Sequence, residues 1–293
     1  MRYILENDVL RIEMDSFGAE LKSVRAKKTD REYMWYGDEK YWDRTSPILF
    51  PFIGNLKNKK YRYEGKEYSM GLHGFACDME FSVISRAEDE IWFEAVSSEK
   101  TLVNYPFPFF LQIGYQLKDD QVKVMWKVEN PAQKPMYFSI GAHPGFLCPV
   151  HGEDDKSGYR LYFDGLNELH HFGNDEVTGL SLHEDIALPL TDHRAVITKE
   201  FFDRCTYIVS GKQTGEIGLE EPDGRRIVTL YFDAPLFALW SRERANAPFV
   251  CIEPWFGKCD SIDFEGRLEE REYGNCLAGG ETFETAYIMK FGV

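Results

Sequence analysis

Gln121-Val122-Lys123-Val124-Met125-Trp126-Lys127-Val128-Glu129 places Val122, Val124, Trp126 and Val128 at every second position, with Lys123 and Lys127 among the residues between them. Side chains of an extended chain alternate between two faces, so this period reads as a strand with one face buried. The same alternation recurs around Leu10, Ile12 and Met14. Turn chemistry separates such runs: Glu64-Gly65-Lys66 between Tyr63 and Tyr68, Asp119-Asp120 before Val122, and Pro222-Asp223-Gly224 before Ile227-Val228-Thr229-Leu230. Hairpins and meanders should therefore dominate. No long apolar stripe of helical period appears, and the helix candidates are short, such as Ser98 to Asn104, stopped by Tyr105-Pro106. Many strands with few short helices predict an all-β antiparallel sandwich or barrel.

At 293 residues and 43% hydrophobic content the chain can bury a large core. It carries no repeat, low-complexity tract or linker-like stretch, so residues 1–293 are expected to form one domain; residues 152–157 are polar enough for a loop. A net charge of -15 repels phosphate backbones and anionic lipid, which argues against nucleic acid and membrane as partners. Acids in Met1-Arg2-Tyr3-Ile4-Leu5-Glu6-Asn7-Asp8 interrupt any signal-peptide core, and no apolar run is long enough for a bilayer, so a cytoplasmic location is expected. Six cysteines (Cys77, Cys148, Cys205, Cys251, Cys259 and Cys276) are scattered without a CxxC pair, which predicts free thiols and no zinc site.

Two histidines stand out: His73 in Gly71-Leu72-His73-Gly74-Phe75 and His143 in Gly141-Ala142-His143-Pro144-Gly145. Imidazole titrates near neutrality, and flanking glycines permit close backbone approach to a ligand. A carboxylate, Glu253, sits in Cys251-Ile252-Glu253-Pro254-Trp255, where partial burial would tune its basicity. Each has a plainer reading, as a hydrogen-bonded histidine at a strand end or a carboxylate in a salt bridge. Trp255 and Trp240 offer aromatic faces to the C–H surface of a sugar, or simply pack in the core. Asp203, in Phe201-Phe202-Asp203-Arg204, is an acid in an apolar setting that needs a partner other than Arg204, because neighbours on a strand point oppositely. Arg44, before the apolar run Pro47-Ile48-Leu49-Phe50, could present its fork to ligand oxygens or form a salt bridge. His170-His171 and His183-Glu184-Asp185 read as surface residues that assemble no metal site. GxSxG, GxxxxGK[ST] and GxGxxG motifs are absent, which leaves chemistry without a cofactor.

These segments, in order, resemble the aldose 1-epimerases (mutarotases), in particular the divergent galactose mutarotase-like branch that includes hexose-6-phosphate mutarotases. The resemblance rests on Arg44-Thr45-Ser46-Pro47-Ile48-Leu49-Phe50-Pro51 with Gly54, Leu72-His73-Gly74-Phe75-Ala76, Tyr105-Pro106-Phe107, Gly141-Ala142-His143-Pro144-Gly145-Phe146, Asp203-Arg204 and Glu253-Pro254-Trp255. It implies the galactose mutarotase-like antiparallel β-supersandwich with a sugar cleft, and a monosaccharide substrate. It further implies Glu253 as general base on the anomeric hydroxyl, His143 as general acid on the ring oxygen, and His73 as the second histidine holding that oxygen. Asp203 is similar to the acid that binds sugar hydroxyls, and Arg44 to an arginine at the pocket edge. Where the sugar-phosphate branch carries an arginine after its His-Gly motif, this chain has Cys77-Asp78; where the galactose branch has an arginine after the glycine matching Gly54, this chain has Asn55, near Lys57, Lys59 and Lys60. An unphosphorylated aldohexose is therefore favoured, with a phosphorylated one, and monomer or homodimer, left open. Two other functions compete: a carbohydrate-binding or sugar-sensing protein without turnover, and a glycoside hydrolase, for which Asp203 would be the second carboxylate.

Overall fold

In the computed structural model, which describes residues 1–150 and 155–293, Gln121–Glu129 lies inside a sheet. It pairs antiparallel with Phe110–Lys118 on one side and Thr282–Phe291 on the other. Its alternation is realised, since Val122, Val124, Trp126 and Val128 are each at most 1% exposed. The sheet has nine strands, in the order Arg194–Val196, Arg160–Phe163, Glu216–Glu220, Arg226–Phe232, Thr282–Phe291, Gln121–Glu129, Phe110–Lys118, Glu90–Val96 and Ser82–Arg86. The expected turns at Asp119-Asp120, Glu64-Gly65 and Pro222-Asp223-Gly224 each join antiparallel neighbours.

A second sheet orders Tyr207–Ser210, Leu236–Trp240, Phe249–Phe256, Ile140–Ala142 and Ile48–Leu49, with Gly145–Leu147 also pairing on Phe249–Phe256. The two sheets pack face to face through aromatic rings. Trp126 meets Phe256 edge-on at 6.4 Å, and Phe283 meets both Phe256 at 5.4 Å and Phe138 at 5.5 Å. Buried side chains from Leu5 to Phe291 join one apolar cluster, so the core runs the length of the chain. Arg2–Glu6, Leu10–Asp15 and Glu20–Ala26 form a three-stranded antiparallel meander that contributes Leu5, Leu10, Ile12 and Met14 to that core.

Phe249–Phe256 decides where chemistry can occur. Seven of its eight residues are buried. Val250 and Ile252 enter the main core, while the alternate positions Cys251, Glu253 and Trp255 point to the opposite face of the same sheet. A cavity opens on that face, lined by Glu253 and Trp255 together with loop residues such as Trp42, His73 and Glu243.

The expected short helix forms as Glu99–Asn104, with Ser98 and Thr101 capping each other's backbone N–H groups. Among the described residues no helix is long and apolar enough to cross a membrane. Part of the loop expected over 152–157 lies outside the described residues. Three local expectations need correction. His170 and His171 lie on the strand Glu168–His171, whose alternation buries His171 at 4% exposure, so of the two only His170 is a surface residue. Asp203 belongs to the turn that precedes Tyr207–Ser210, not to a strand. His73 does not end a strand; it sits in a turn with a left-handed backbone, φ +61°.

Because Trp126 fills the contact between the sheets, Trp126→Ala should lower the unfolding free energy by roughly 3–5 kcal/mol. Urea denaturation would show this as a lower midpoint with an unchanged slope.

Candidate active site

His143 follows directly on Ile140–Ala142, the strand that pairs with Phe249–Phe256 through Gly141 and Trp255. That pairing aims its ring at Glu253, with His143 Nε2 lying 3.4 Å from Glu253 Oε2. Gly141 is required here, because a Cβ would come within 2.8 Å of the Trp255 indole. His73 arrives from the other side. Its backbone N–H donates to Gly54 O at 3.0 Å, and the Gly54 N–H donates to His73 Nδ1, also at 3.0 Å. The next residue, Gly74, has φ +79° and backs onto Phe50, whose carbonyl oxygen would lie 2.3 Å from any Cβ. The His73 and His143 rings meet edge-on at 5.5 Å.

The three groups surround a cavity of about 490 Å³, within the range of small-molecule sites. Its walls also include Arg44, Asn55, Trp240 and Trp255 from the sequence reading. Arg44 is already engaged, donating from Nη2 to Asp78 Oδ1 at 2.5 Å and from Nη1 to Cys77 O at 3.1 Å. Asp78 thus faces the cavity with its charge paired. Asn55 Nδ2 donates to Thr178 O at 2.9 Å and ties the loop carrying Gly179 to the rim.

Asp203 is not brought to the cavity wall. Its Oδ1 accepts the backbone N–H of Arg244 at 2.8 Å, so it braces the segment that supplies Arg242 and Glu243 to the wall.

Several wall residues carried no signal in the sequence. Trp42 packs against the His143 ring at 4.7 Å with the two planes tilted by 31°, and Trp240 lies edge-on to the same ring at 5.3 Å. Trp42 lies two residues before Arg44 and was within sight of the motif, but nothing local said what it would cover. Glu243 Oε1 accepts the Trp240 indole N–H at 2.9 Å. Lys156, buried at 2% exposure, donates to Ser241 Oγ at 2.6 Å and Ala247 O at 2.7 Å, anchoring the same segment from beneath. Burial brings its amine down to about 8.

Electrostatics at the centre follows from burial. Glu253 is 1% exposed, and desolvation pushes its carboxyl well above the usual range. Desolvation pulls the His143 imidazole well below its ordinary value, with His73 adding to the effect. His73 itself is brought down to about 4 by burial. With Nδ1 accepting from Gly54, the neutral His73 ring carries its proton on Nε2. Among the described residues, Glu253 Oε2 and His143 Nδ1 are buried atoms without a hydrogen-bond partner, while the Trp255 indole approaches the Glu253 carboxyl and partly offsets the effect of burial. Buried polar atoms are normally satisfied, and two such atoms in residues of one cavity wall mark a place where a polar ligand would supply missing partners.

Among the described residues, His143, Cys251 and Glu253 also form a group whose ligand atoms all lie within 4.8 Å of one another.

The family model described as aldose 1-epimerase matches residues 1–270. Two Lactococcus lactis proteins, the chromosomal and plasmid forms of Protein LacX, are 28% identical over 275 residues, covering 91% of this chain and 91% of each of them. A galactose mutarotase related enzyme from Lactobacillus acidophilus superposes with a TM-score of 0.93 at 30% identity, covering 100% of this chain and 98% of that one. A galactose mutarotase-like protein from Lactobacillus casei gives a TM-score of 0.91 at 27% identity, covering 99% of each. The fold is therefore the galactose mutarotase-like β-sandwich.

The depressed His73 value has a consequence for stability. Between the ordinary imidazole value of 6.5 and about 4, the unfolded chain binds a proton at this position that the folded chain refuses, so stability falls as pH drops through that window. His73→Asn keeps a polar group but cannot titrate. The stability gap between the native protein and this variant should narrow from pH 6.5 to 4; chemical denaturation across that range would show it, and a constant gap would contradict the assignment.

Proposed function

The chain belongs to the aldose 1-epimerase family, and from that premise we propose that it is an isomerase interconverting the α and β anomers of an aldohexose by acid–base ring opening and closure. The observation that carries this reading is the 3.4 Å pair of His143 and Glu253, buried on a sugar-sized cavity with orphaned polar atoms.

Ring opening of a hemiacetal removes the proton of the anomeric hydroxyl while another is delivered to the ring oxygen. Both oxygens are bonded to the same carbon, so a base and an acid a few ångströms apart can serve both transfers. Glu253 takes the hydroxyl proton and His143 protonates the ring oxygen, with the Nε2–H of His73 as a donor to that oxygen. Burial favours the uncharged forms of Glu253 and His143 in the empty cavity. Moving one proton from the carboxyl to the imidazole gives the reactive carboxylate and imidazolium without exchange with solvent, and the hydroxyls of a bound sugar stabilise the charges as they form. The open-chain aldehyde rotates about its C1–C2 bond and closes on the other face, with the two groups exchanging roles. Proton transfers alone complete the cycle, so no cofactor is called for.

Trp240 and Trp255 would lie against the sugar ring, and Arg44 and Asn55 would read hydroxyls at the rim. Asp203 would act through the segment it braces. The Arg44 fork is occupied by Asp78 and Cys77 O, which favours an unphosphorylated aldohexose. A sugar-binding protein without turnover would gain nothing from burying a carboxyl and an imidazole together, since their desolvation weakens the fold.

Glu253→Gln and His143→Asn should each slow catalysed mutarotation of α-glucose and α-galactose by about 10²–10⁴-fold. Polarimetry or NMR of freshly dissolved sugar measures the rate. Undiminished catalysis in both variants would sink the mechanism, and tight saturable binding without anomer exchange in the native protein would replace it with the sugar-sensing reading.

A further inference from the structure

We propose that His143, Cys251 and Glu253 form a binding site for a borderline-soft divalent cation of the zinc class, and that its occupation silences the acid–base pair. Cys251 and Glu253 are two residues apart on Phe249–Phe256 and so share a face, and His143 reaches them from the neighbouring strand. The three ligand atoms lie within 4.8 Å of one another, and His143 Nε2 and Glu253 Oε2 are 3.4 Å apart. Tetrahedral zinc with bonds of about 2.0–2.3 Å needs ligand atoms roughly 3.3–3.8 Å from each other, so small side-chain rotations close the set.

The unmet bonding of the carboxylate also points to a ligand at this place. Glu253 is 1% exposed, yet among the described residues its Oε2 has no hydrogen-bond partner, with His143 Nε2 3.4 Å away. A thiolate, an imidazole and a carboxylate together suit zinc or cobalt, whereas magnesium and calcium prefer oxygen alone. Cys251 is a free, buried thiol behind the cavity wall, while His143 and Glu253 line the cavity. Three protein ligands with the fourth position open to the cavity is the arrangement of an accessible site. On binding, the thiol proton leaves to solvent and the cation takes the Nε2 and Oε2 lone pairs. These atoms belong to the pair assigned to sugar chemistry, so metal and sugar exclude each other. His143 Nδ1 donates to no acceptor, and a metal-bound histidine is usually oriented by such a bond. The site is therefore built for reversible occupation rather than as a structural centre.

The test is a titration of the reduced protein with Co²⁺, whose thiolate complexes show a near-ultraviolet charge-transfer band. This readout needs no turnover, so it can succeed or fail independently of the mutarotase reading. One equivalent of Co²⁺ should produce the band, and Zn²⁺ should displace it. Cys251→Ser should abolish the band and weaken Zn²⁺ binding by at least the roughly 10–100-fold that follows loss of an orienting partner. The exposed Cys276→Ser control should retain it. If Cys251→Ser does not fold, Glu253→Gln and His143→Asn keep the thiol and should each weaken Zn²⁺ binding by a similar factor. A native protein without the band, a band that survives in Cys251→Ser, or one that disappears instead in Cys77→Ser or Cys259→Ser would overturn the proposal.

Discussion

A carboxyl group at 1% exposure that, among the described residues, forms no ion pair with a lysine or arginine is the constraint around which the cavity is arranged. The ion-pair-range partner of Glu253 among the described residues is the His143 imidazole. An isolated buried carboxylate is costly, and the protein relieves that cost by favouring the neutral acid. The neighbouring imidazole is held neutral by the same desolvation. Two groups whose values are driven towards one another by burial can trade a proton between them, which is the property that acid–base catalysis uses.

Holding them in register is a task for the backbone. Phe249–Phe256 is pinned on one face by Val250 and Ile252 in the main core, so the opposite face has little freedom to move. Gly141 lets the strand before His143 close on Trp255, and the left-handed turn at His73 and Gly74 folds back onto Gly54 and Phe50. The reciprocal bonds between His73 and Gly54 then fix both the position of the ring and its tautomer. A strained turn of this kind persists only where surrounding contacts hold it.

The aromatic lining serves the same end. Trp42 and Trp240 both pack against the His143 ring, one tilted and one edge-on. They restrict its rotation and exclude water, which strengthens every electrostatic interaction within the cavity. Trp240 is itself held by Glu243, and the segment carrying Glu243 is braced by Asp203 and Lys156. Residues well outside the cavity thereby govern the geometry within it.

The all-β class was legible from period-two alternation alone, because burial of one sheet face imposes that pattern on any strand such as Gln121–Glu129. The turns and the Ser98-capped helix were legible for the same reason, since local backbone geometry selects local residues. His73, His143 and Glu253 were recognisable as candidates from their small or apolar neighbours and their order. What distance in sequence concealed was everything set by packing between remote segments: that Trp42 covers His143, that Asp203 braces a loop instead of lining the cavity, that His171 is buried, and that Cys251 completes a group with His143 and Glu253. Alternation is a property of one strand, so the chain declares it by itself; convergence depends on which strands become neighbours, and only the folded sheets decide that.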